Sequence, residues 1–263
     1  MKKNWDNRPF MAHDDNPLSL GGTAWIPAEG MVSPTDAGIH VVCDSEPVIE
    51  ELTRDTAFSA DCKTVRWADV SAPVHTAAAN LNRPFYIFIA TDTPAPGSEP
   101  MKKIMDVQPF ASGVLLISPK PVIEVACSCA TTSQEIVRTV RAWCLLMQRE
   151  GPSPVSFGEI HKLLLNKGGE IKCLSYSTTD SAAVEGLPAR LTEEAGESIA
   201  RIESYIIHVS IPPKYKNDMD SIVHAVNLLR IHIRQTAPQA SGLVGTLFET
   251  SGSPEACISI FMH

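Results

Sequence analysis

Four stretches in the C-terminal half of the chain repeat apolar residues at helical spacing. They begin near residues 132, 156, 192 and 217. The first two start with capping boxes at 132–135 and 156–159, in which a hydroxyl oxygen and a Glu carboxylate each satisfy a free backbone N–H. The last has the cleanest apolar stripe, formed by Ile222, Val226, Leu229 and Ile233. The pattern therefore predicts about four helices, concentrated in this half.

Strands are predicted where residues alternate with period two or where β-branched and aromatic residues cluster. These segments are 38–43, 85–90, 113–117, 122–127, 205–211, 243–249 and 256–262. Pro119 and Pro121 predict a hairpin or bent pair between the third and fourth strands, and residues 250–254 predict a hairpin between the last two. Because strands and helices are mixed without a regular βαβ alternation, we expect an α+β fold with mixed or antiparallel strands.

Residues 1–35 show neither period and form an irregular N-terminal arm. The arm carries Trp5, Phe10 and Trp25, which either pack into the core of their own chain or reach onto a neighbouring subunit. The Pro-rich stretch 91–100 is the best linker. We therefore expect a strand-rich acidic lobe over 36–100 and an α+β lobe over 101–263, with a single domain over 36–263 as the alternative.

Composition and charge limit the classes of function. With 263 residues, 44% of them hydrophobic, the chain can bury a large core. The net charge is −8, of which −7 lies in the first hundred residues and −1 in the rest. This balance excludes a protein that coats nucleic acid along its whole surface. The seven scattered cysteines, the missing signal peptide and the missing transmembrane span predict reduced thiols in a cytoplasmic, reducing compartment.

Local catalytic motifs are missing from the sequence. It has no P-loop, no G-x-G-x-x-G after a strand, no G-x-S-x-G elbow, no H-E-x-x-H and no EF-hand loop. Cys127 and Cys129 lack the second ligand pair that a zinc site needs. We therefore expect no catalytic residue, no metal and no cofactor. The alternative is a loop-assembled enzyme site that uses Cys127 or Cys129 together with His161 or His208.

Arginines gather on two of the predicted helices. Arg138, Arg141 and Arg149 fall within one arc of the first helix, and Arg230 and Arg234 are one turn apart on the fourth. Such a face can contact phosphates, anionic lipid or an acidic neighbouring subunit, whereas the plainer interpretation is an ordinary solvated face. Leu145 lies in the middle of the first arc and indicates that something covers it.

These features together favour a non-enzymatic, self-associating structural or adaptor protein. Compact α+β chains with an irregular arm and no catalytic motif are common among viral matrix- and capsid-type proteins, and the opposite charge of different faces suits self-assembly. The expected partner is a second copy of the chain, with RNA or an anionic membrane surface as a further partner of the arginine face. The alternative function is that of a cytosolic enzyme. We expect the purified protein to be dimeric or larger.

Overall fold

The computed structural model of the chain describes residues 38–54, 62–70, 83–122, 124–125, 127–132, 134–147, 153–166, 168–177, 184–212, 219–248 and 256–263. The predicted arm, with Trp5, Phe10 and Trp25, lies outside these ranges, as does Arg149. No helix within them has both the length and the hydropathy that crossing a bilayer requires.

A six-stranded sheet, parallel at every described pairing, forms the first layer of strands. Its strands are β1 (Ile39–Val42), β2 (Cys62–Val65), β3 (Phe85–Ile89), β4 (Gly113–Ser118), β5 (Cys127–Ala130) and β6 (Gly169–Glu170). The strand order is β2-β1-β3-β4-β5-β6. The chain thus starts in β1, adds β2 on one side, and returns to the other side of β1 with β3.

Helices cover both faces of this sheet. They are α1 (Glu46–Arg54), α2 (Glu99–Val107), α3 (Ile136–Leu146) and α4 (Phe157–Ile160), which a π turn over His161–Leu165 continues. The side chains of Met101, Ile104 and Val107 on α2 pack on one face, and those of α1 and α3 pack on the other. Because both faces are buried in the middle of the sheet, β1, β3 and β4 are mostly apolar, and Phe85–Ile89 is buried at every position.

This architecture corrects the predicted fold class. An α+β fold with mixed or antiparallel strands is wrong, because the first sheet is parallel and flanked by helices. Two helices, α1 and α2, also lie in the half of the chain where none was predicted. The hairpin around Pro119 and Pro121 is wrong too, since β4 and β5 pair in parallel, with Leu116 opposite Ser128. Residues 91–100 lead from β3 into α2 within this sheet.

A second, four-stranded sheet follows in the order β7-β10-β8-β9. Its strands are β7 (Lys172–Ser177), β8 (Ser204–Ile211), β9 (Ser241–Phe248) and β10 (Cys257–Met262), and its helices are α5 (Leu187–Ala195) and α6 (Met219–Thr236). The predicted hairpin between the last two strands is wrong, because β8 lies between β9 and β10. Helix α6 instead joins β8 to its parallel neighbour β9.

Helix α3 lies between the two sheets. The Trp143 ring meets the Phe261 ring of β10 edge to face, with centroids 4.7 Å apart, and both side chains are fully buried. Leu145 is also buried and packs against Leu247 of β9. The expectation that Leu145 is covered is thus confirmed, and the cover is the second sheet of the chain itself.

Several local predictions are confirmed. The capping box at Ser156 is complete, since Ser156 Oγ accepts from the Glu159 backbone and the Glu159 carboxylate accepts from the Ser156 backbone. The predicted stripe of the last helix is buried in α6. The third helix exists but begins earlier, as α5, and ends in a 3-10 turn over Gly196–Arg201. All seven cysteines are free thiols.

Candidate functional site

A cleft of about 760 Å³ lies beyond the carboxyl ends of β1, β2 and β3. The direction of chain travel across the sheet reverses between β1 and β3, and this reversal is the position where open parallel sheets hold their ligands. The lining residues are Asp44, Ser45, Trp67, Ala68, Ile89, Ala90, Thr91, Asp92, Thr93, Pro94, Ala95, Ser98, Glu99, Pro100 and Lys103. Every one of them belongs to a loop after one of these strands or to the start of α2, apart from Ile89, which ends β3, and Lys103, one turn further along α2.

Polar contacts fix the loop after β1 to the loop after β2. The Asp44 carboxylate accepts a hydrogen bond from the Trp67 backbone N–H at 2.9 Å, and the Arg66 guanidinium donates to the Asp44 carbonyl at 3.2 Å. Arg66 also pairs with the Glu46 carboxylate, and this hydrogen bond raises the pKa of the arginine. Hydrogen bonds and an ion pair therefore hold these two loops together along one side of the cleft.

The other side of the cleft is the segment that leads from β3 into α2. Gly97 adopts a φ of +73°, which lets the chain turn into the helix at Ser98. The Ser98 hydroxyl is shielded from solvent and has no hydrogen-bond partner among the described residues, although it occupies the N-cap position. An N-cap oxygen ordinarily accepts a bond from the first turn. This hydroxyl is therefore an unpartnered polar group at the start of α2, in a residue that lines the cleft.

Charge in the cleft is mainly negative. Among the described residues that line the cleft, the charged side chains are Asp44, Asp92, Glu99 and one cation, Lys103. The Lys103 ammonium donates to the Trp67 carbonyl at 2.7 Å and lies 3.9 Å from the Glu99 carboxylate. An anionic ligand therefore needs a cation of its own, such as Mg²⁺, which binds through one or two carboxylates and the phosphates of the ligand. The described residues hold no cluster of three or more His, Cys, Asp or Glu side chains suited to a metal by themselves.

The predicted arginine face is divided between two layers of the molecule. Arg138 is exposed on α3 and pairs with Glu135 at 3.0 Å, and Arg141 is half-buried one turn further on. Arg230 and Arg234 lie on α6, which packs against α5. None of these four residues lines the cleft.

The predicted thiol and imidazole candidates have the wrong chemistry for a nucleophile. The Cys127 thiol donates to the Leu165 carbonyl, and burial raises its pKa to about 11. Burial raises the pKa of Cys129 to about 12 and lowers that of His208 to about 4. Burial also lowers the pKa of His161. A reactive thiol needs a depressed pKa, whereas burial raises the pKa of both cysteines. Cys127 and Cys129 are therefore unreactive core thiols.

The sequence did not identify the residues of the cleft as a site. Those within 91–100 were assigned to a linker. A Gly-rich loop is the local mark of a phosphate site, and the loop after β3 instead contains Pro94 and Pro96. The available signal was positional: polar residues follow the two apolar segments that form β1 and β3, whereas Cys62–Val65 has no such apolar signal. Its meaning depends on the strand order, which local sequence does not supply.

Comparison with known proteins finds no matching family model and no matching curated sequence. Among solved structures, the chain is similar to the empty FtsZ dimer of M. jannaschii, with a TM-score of 0.50 and 12% identity over 86% of this chain and 88% of that chain. It is also similar to the FtsZ W319Y mutant of M. jannaschii (TM-score 0.44, 11% identity, 69% of this chain and 56% of that chain). A third similar structure is a GTPγS-form protofilament of TubZ from Bacillus thuringiensis serovar israelensis (0.47, 10%, 68% and 60%).

The chain spans less than two thirds of the length of these last two proteins. At these identities the likeness to the FtsZ dimer defines the fold and nothing finer. The class of molecule that fold and cleft define is thus an α/β protein with an FtsZ-like parallel sheet and a cleft at the reversal of strand order.

This fold corrects the predicted class of protein. The interpretation as a non-enzymatic structural or adaptor protein of viral matrix or capsid type is wrong, because the chain has the fold of FtsZ. The expectation that it is not an enzyme rested on missing local motifs, and it is wrong for the same reason. Sheets of this kind assemble their sites from separate loops, so the absence of one motif does not exclude a site.

Proposed function

We propose that this protein binds a purine nucleotide in the cleft between β1 and β3, hydrolyses it, and associates with copies of itself. The observation that carries the proposal is the position of the cleft, because doubly wound sheets bind nucleotides where the strand order reverses. The proteins of similar fold were solved as a dimer and as a GTPγS-form protofilament, which guides the choice of guanine nucleotides as probes.

The phosphate end of the nucleotide is assigned to the start of α2. This is where the free Ser98 hydroxyl and the ammonium of Lys103 lie, and the first turn of a helix favours negative charge. Asp44 and Asp92 are the carboxylates available to a magnesium ion that enters with the phosphates. GTP should therefore bind more weakly in EDTA than with Mg²⁺.

The test combines binding, turnover and assembly on the full chain. Affinity for GTP and GDP is measured by calorimetry with Mg²⁺ and with EDTA, turnover by phosphate release, and assembly by light scattering and sedimentation. Lys103→Ala should weaken GTP binding about threefold, since it removes the one cation among the described residues that line the cleft. Lys102→Ala is the matched control, because Lys102 is exposed on the same helix and does not line the cleft. Equal affinity for GTP in both variants contradicts the assignment.

Self-association gives the predicted surface residues a place in the proposal. We propose that Arg138, Arg141, Arg149, Arg230 and Arg234 contact acidic surface of a neighbouring copy, and that Trp5, Phe10 and Trp25 hold the arm on that copy. Reversing Arg230 and Arg234 to Glu should lower the assembly state, as should deletion of residues 1–25. Arg54→Glu, on the exposed face of α1, is the control. A monomeric wild type at tens of micromolar contradicts self-association.

A further inference from the structure

Trp67 is the one aromatic side chain among the described residues that line the cleft, and several contacts hold it in place. We propose that Trp67 is the platform on which the planar ring of the ligand stacks, and that this ring contact, more than the phosphates, supplies the affinity of the site. The inference rests on the proposed function and adds to it the part of the nucleotide that the protein recognises.

Four contacts fix the platform. The backbone N–H of Trp67 donates to Asp44 Oδ1 at 2.9 Å, its carbonyl accepts from Lys103 Nζ at 2.7 Å, and its indole N–H donates to the Ile89 carbonyl at 3.1 Å. The indole also packs on the Phe88 ring, with centroids 5.0 Å apart and the planes tilted by 49°. Trp67 follows β2, and it is held by the loop after β1, by β3 and by α2.

A half-buried ring fixed in this way suits a planar ligand. Trp67 is neither sunk in the core nor freely exposed, and it lines the cleft while its indole N–H is already bonded to the backbone. Its remaining capacity is therefore the apolar face of the indole. A preordered aromatic side chain loses little conformational freedom on binding, and stacking tolerates any purine because every base has a π face.

The start of α2 offers few favourable contacts to a phosphate group. Pro94, Pro96 and Pro100 have no N–H to offer a phosphate, and they occupy the loop and the first turn of α2. The carboxylates of Asp92 and Glu99 lie beside the same helix start, and the Lys103 ammonium is already bonded to the Trp67 carbonyl. Each added phosphate therefore brings charge repulsion along with any new contact.

The experiment compares GTP, GDP, guanosine and inorganic triphosphate, each with Mg²⁺, on wild type, Trp67→Ala and Trp67→Phe. In wild type, the dissociation constants of GTP, GDP and guanosine should lie within about fivefold of one another, and triphosphate alone should bind at least tenfold more weakly. Trp67→Ala should weaken binding of all three purines by about tenfold or more, whereas Trp67→Phe keeps a ring and should stay within about threefold.

A second measurement does not depend on how well Trp67→Ala folds. Saturating guanosine should change the tryptophan fluorescence of wild type, and the change should be lost in Trp67→Phe, which retains Trp5, Trp25 and Trp143. A chain that binds GTP but binds guanosine more than a hundredfold more weakly, or that keeps the fluorescence change in Trp67→Phe, overturns the inference and leaves the proposed function standing. A wild type that binds no purine compound overturns the proposed function itself.

Discussion

His208 shows what burial does to a single titratable residue. It lies on β8 opposite Ser259 and Gly245 and is 4% exposed, and burial lowers its pKa to about 4 from an ordinary value of 6.5. Between these two values the unfolded chain binds a proton that the folded chain does not. The free energy of unfolding therefore falls as the pH drops through this window, and the loss is complete near pH 4.

The prediction is a loss of about 2 kcal/mol of stability from His208 between pH 7 and pH 5. Urea unfolding at the two pH values measures it, with His208→Gln as the comparison. His40 and His161, whose pKa values burial also lowers, are present in both proteins, so the difference isolates His208. The same pH dependence in both proteins would contradict the assignment.

Gly113 is constrained by close packing across the first sheet. It pairs with Phe85, and a Cβ at this position would lie 2.6 Å from Cε2 of the fully buried Phe85 ring. Gly113→Ala should therefore cost about 1–3 kcal/mol of stability, because the ring cannot move away in a packed core. Adding Phe85→Leu to this variant should recover part of the loss. Additive costs in the double variant, measured by urea unfolding, would show that the two residues do not clash.

At the scale of elements, the two predicted capping boxes behave differently. At Ser156 both reciprocal hydrogen bonds form, whereas α3 begins at Ile136 without a side-chain cap. Among the described residues, Thr132 contributes its carbonyl, which accepts from the Glu135 backbone. Ser156→Ala should therefore destabilise the protein by about 1 kcal/mol, and Thr132→Ala by clearly less. Glu159→Gln keeps an acceptor at the third position and should retain most of the stability. Equal losses for Ser156→Ala and Thr132→Ala contradict this distinction.

The helices could be predicted where their signal is local. The stripe of α6 and the box at Ser156 depend on residues within one or two turns, so the sequence is sufficient to find them. Helix α2 was missed because it begins directly after a Pro-rich run that is typical of a linker. The start of α5 was misplaced because its first turn contains Pro188, a residue that fits a helix start as well as a loop.

The parallel sheet could not be predicted from local pattern. Its strands have two to six residues, and the central strands β3 and β4 are buried on both faces, so they lack the alternation that marks a strand with one solvated face. The pairing is also nonlocal, since β1 lies between β2 and β3. The same reason hid the cleft: Asp44, Trp67 and Thr91 are far apart in sequence and meet only through the strand order.

Across the whole molecule, the most acidic part of the chain is also the part that forms most of the cleft. The three carboxylates of the cleft, Asp44, Asp92 and Glu99, all belong to the first hundred residues, which carry −7 of the net charge of −8. The acidic part of the chain is therefore the part that builds the cleft, and the near-neutral part supplies α3, the second sheet and α6. A cation requirement at the cleft is the functional expectation that follows from this division.

The two sheets share one packed interior through α3, and this predicts how the molecule unfolds. Trp143 and Phe261 are fully buried against each other, and Phe261 belongs to the same buried cluster as Ile87 and Leu115 of the first sheet. Phe261→Ala leaves a cavity between the sheets and should cost about 3–5 kcal/mol. Since the interior is continuous, circular dichroism and tryptophan fluorescence should report one shared transition in urea for both wild type and variant.

Ile231→Ala, at an exposed position on α6, is the control and should change the midpoint little. Two separate transitions, with only one of them shifted by Phe261→Ala, would show that the sheets unfold independently and that α3 does not join them into one cooperative unit.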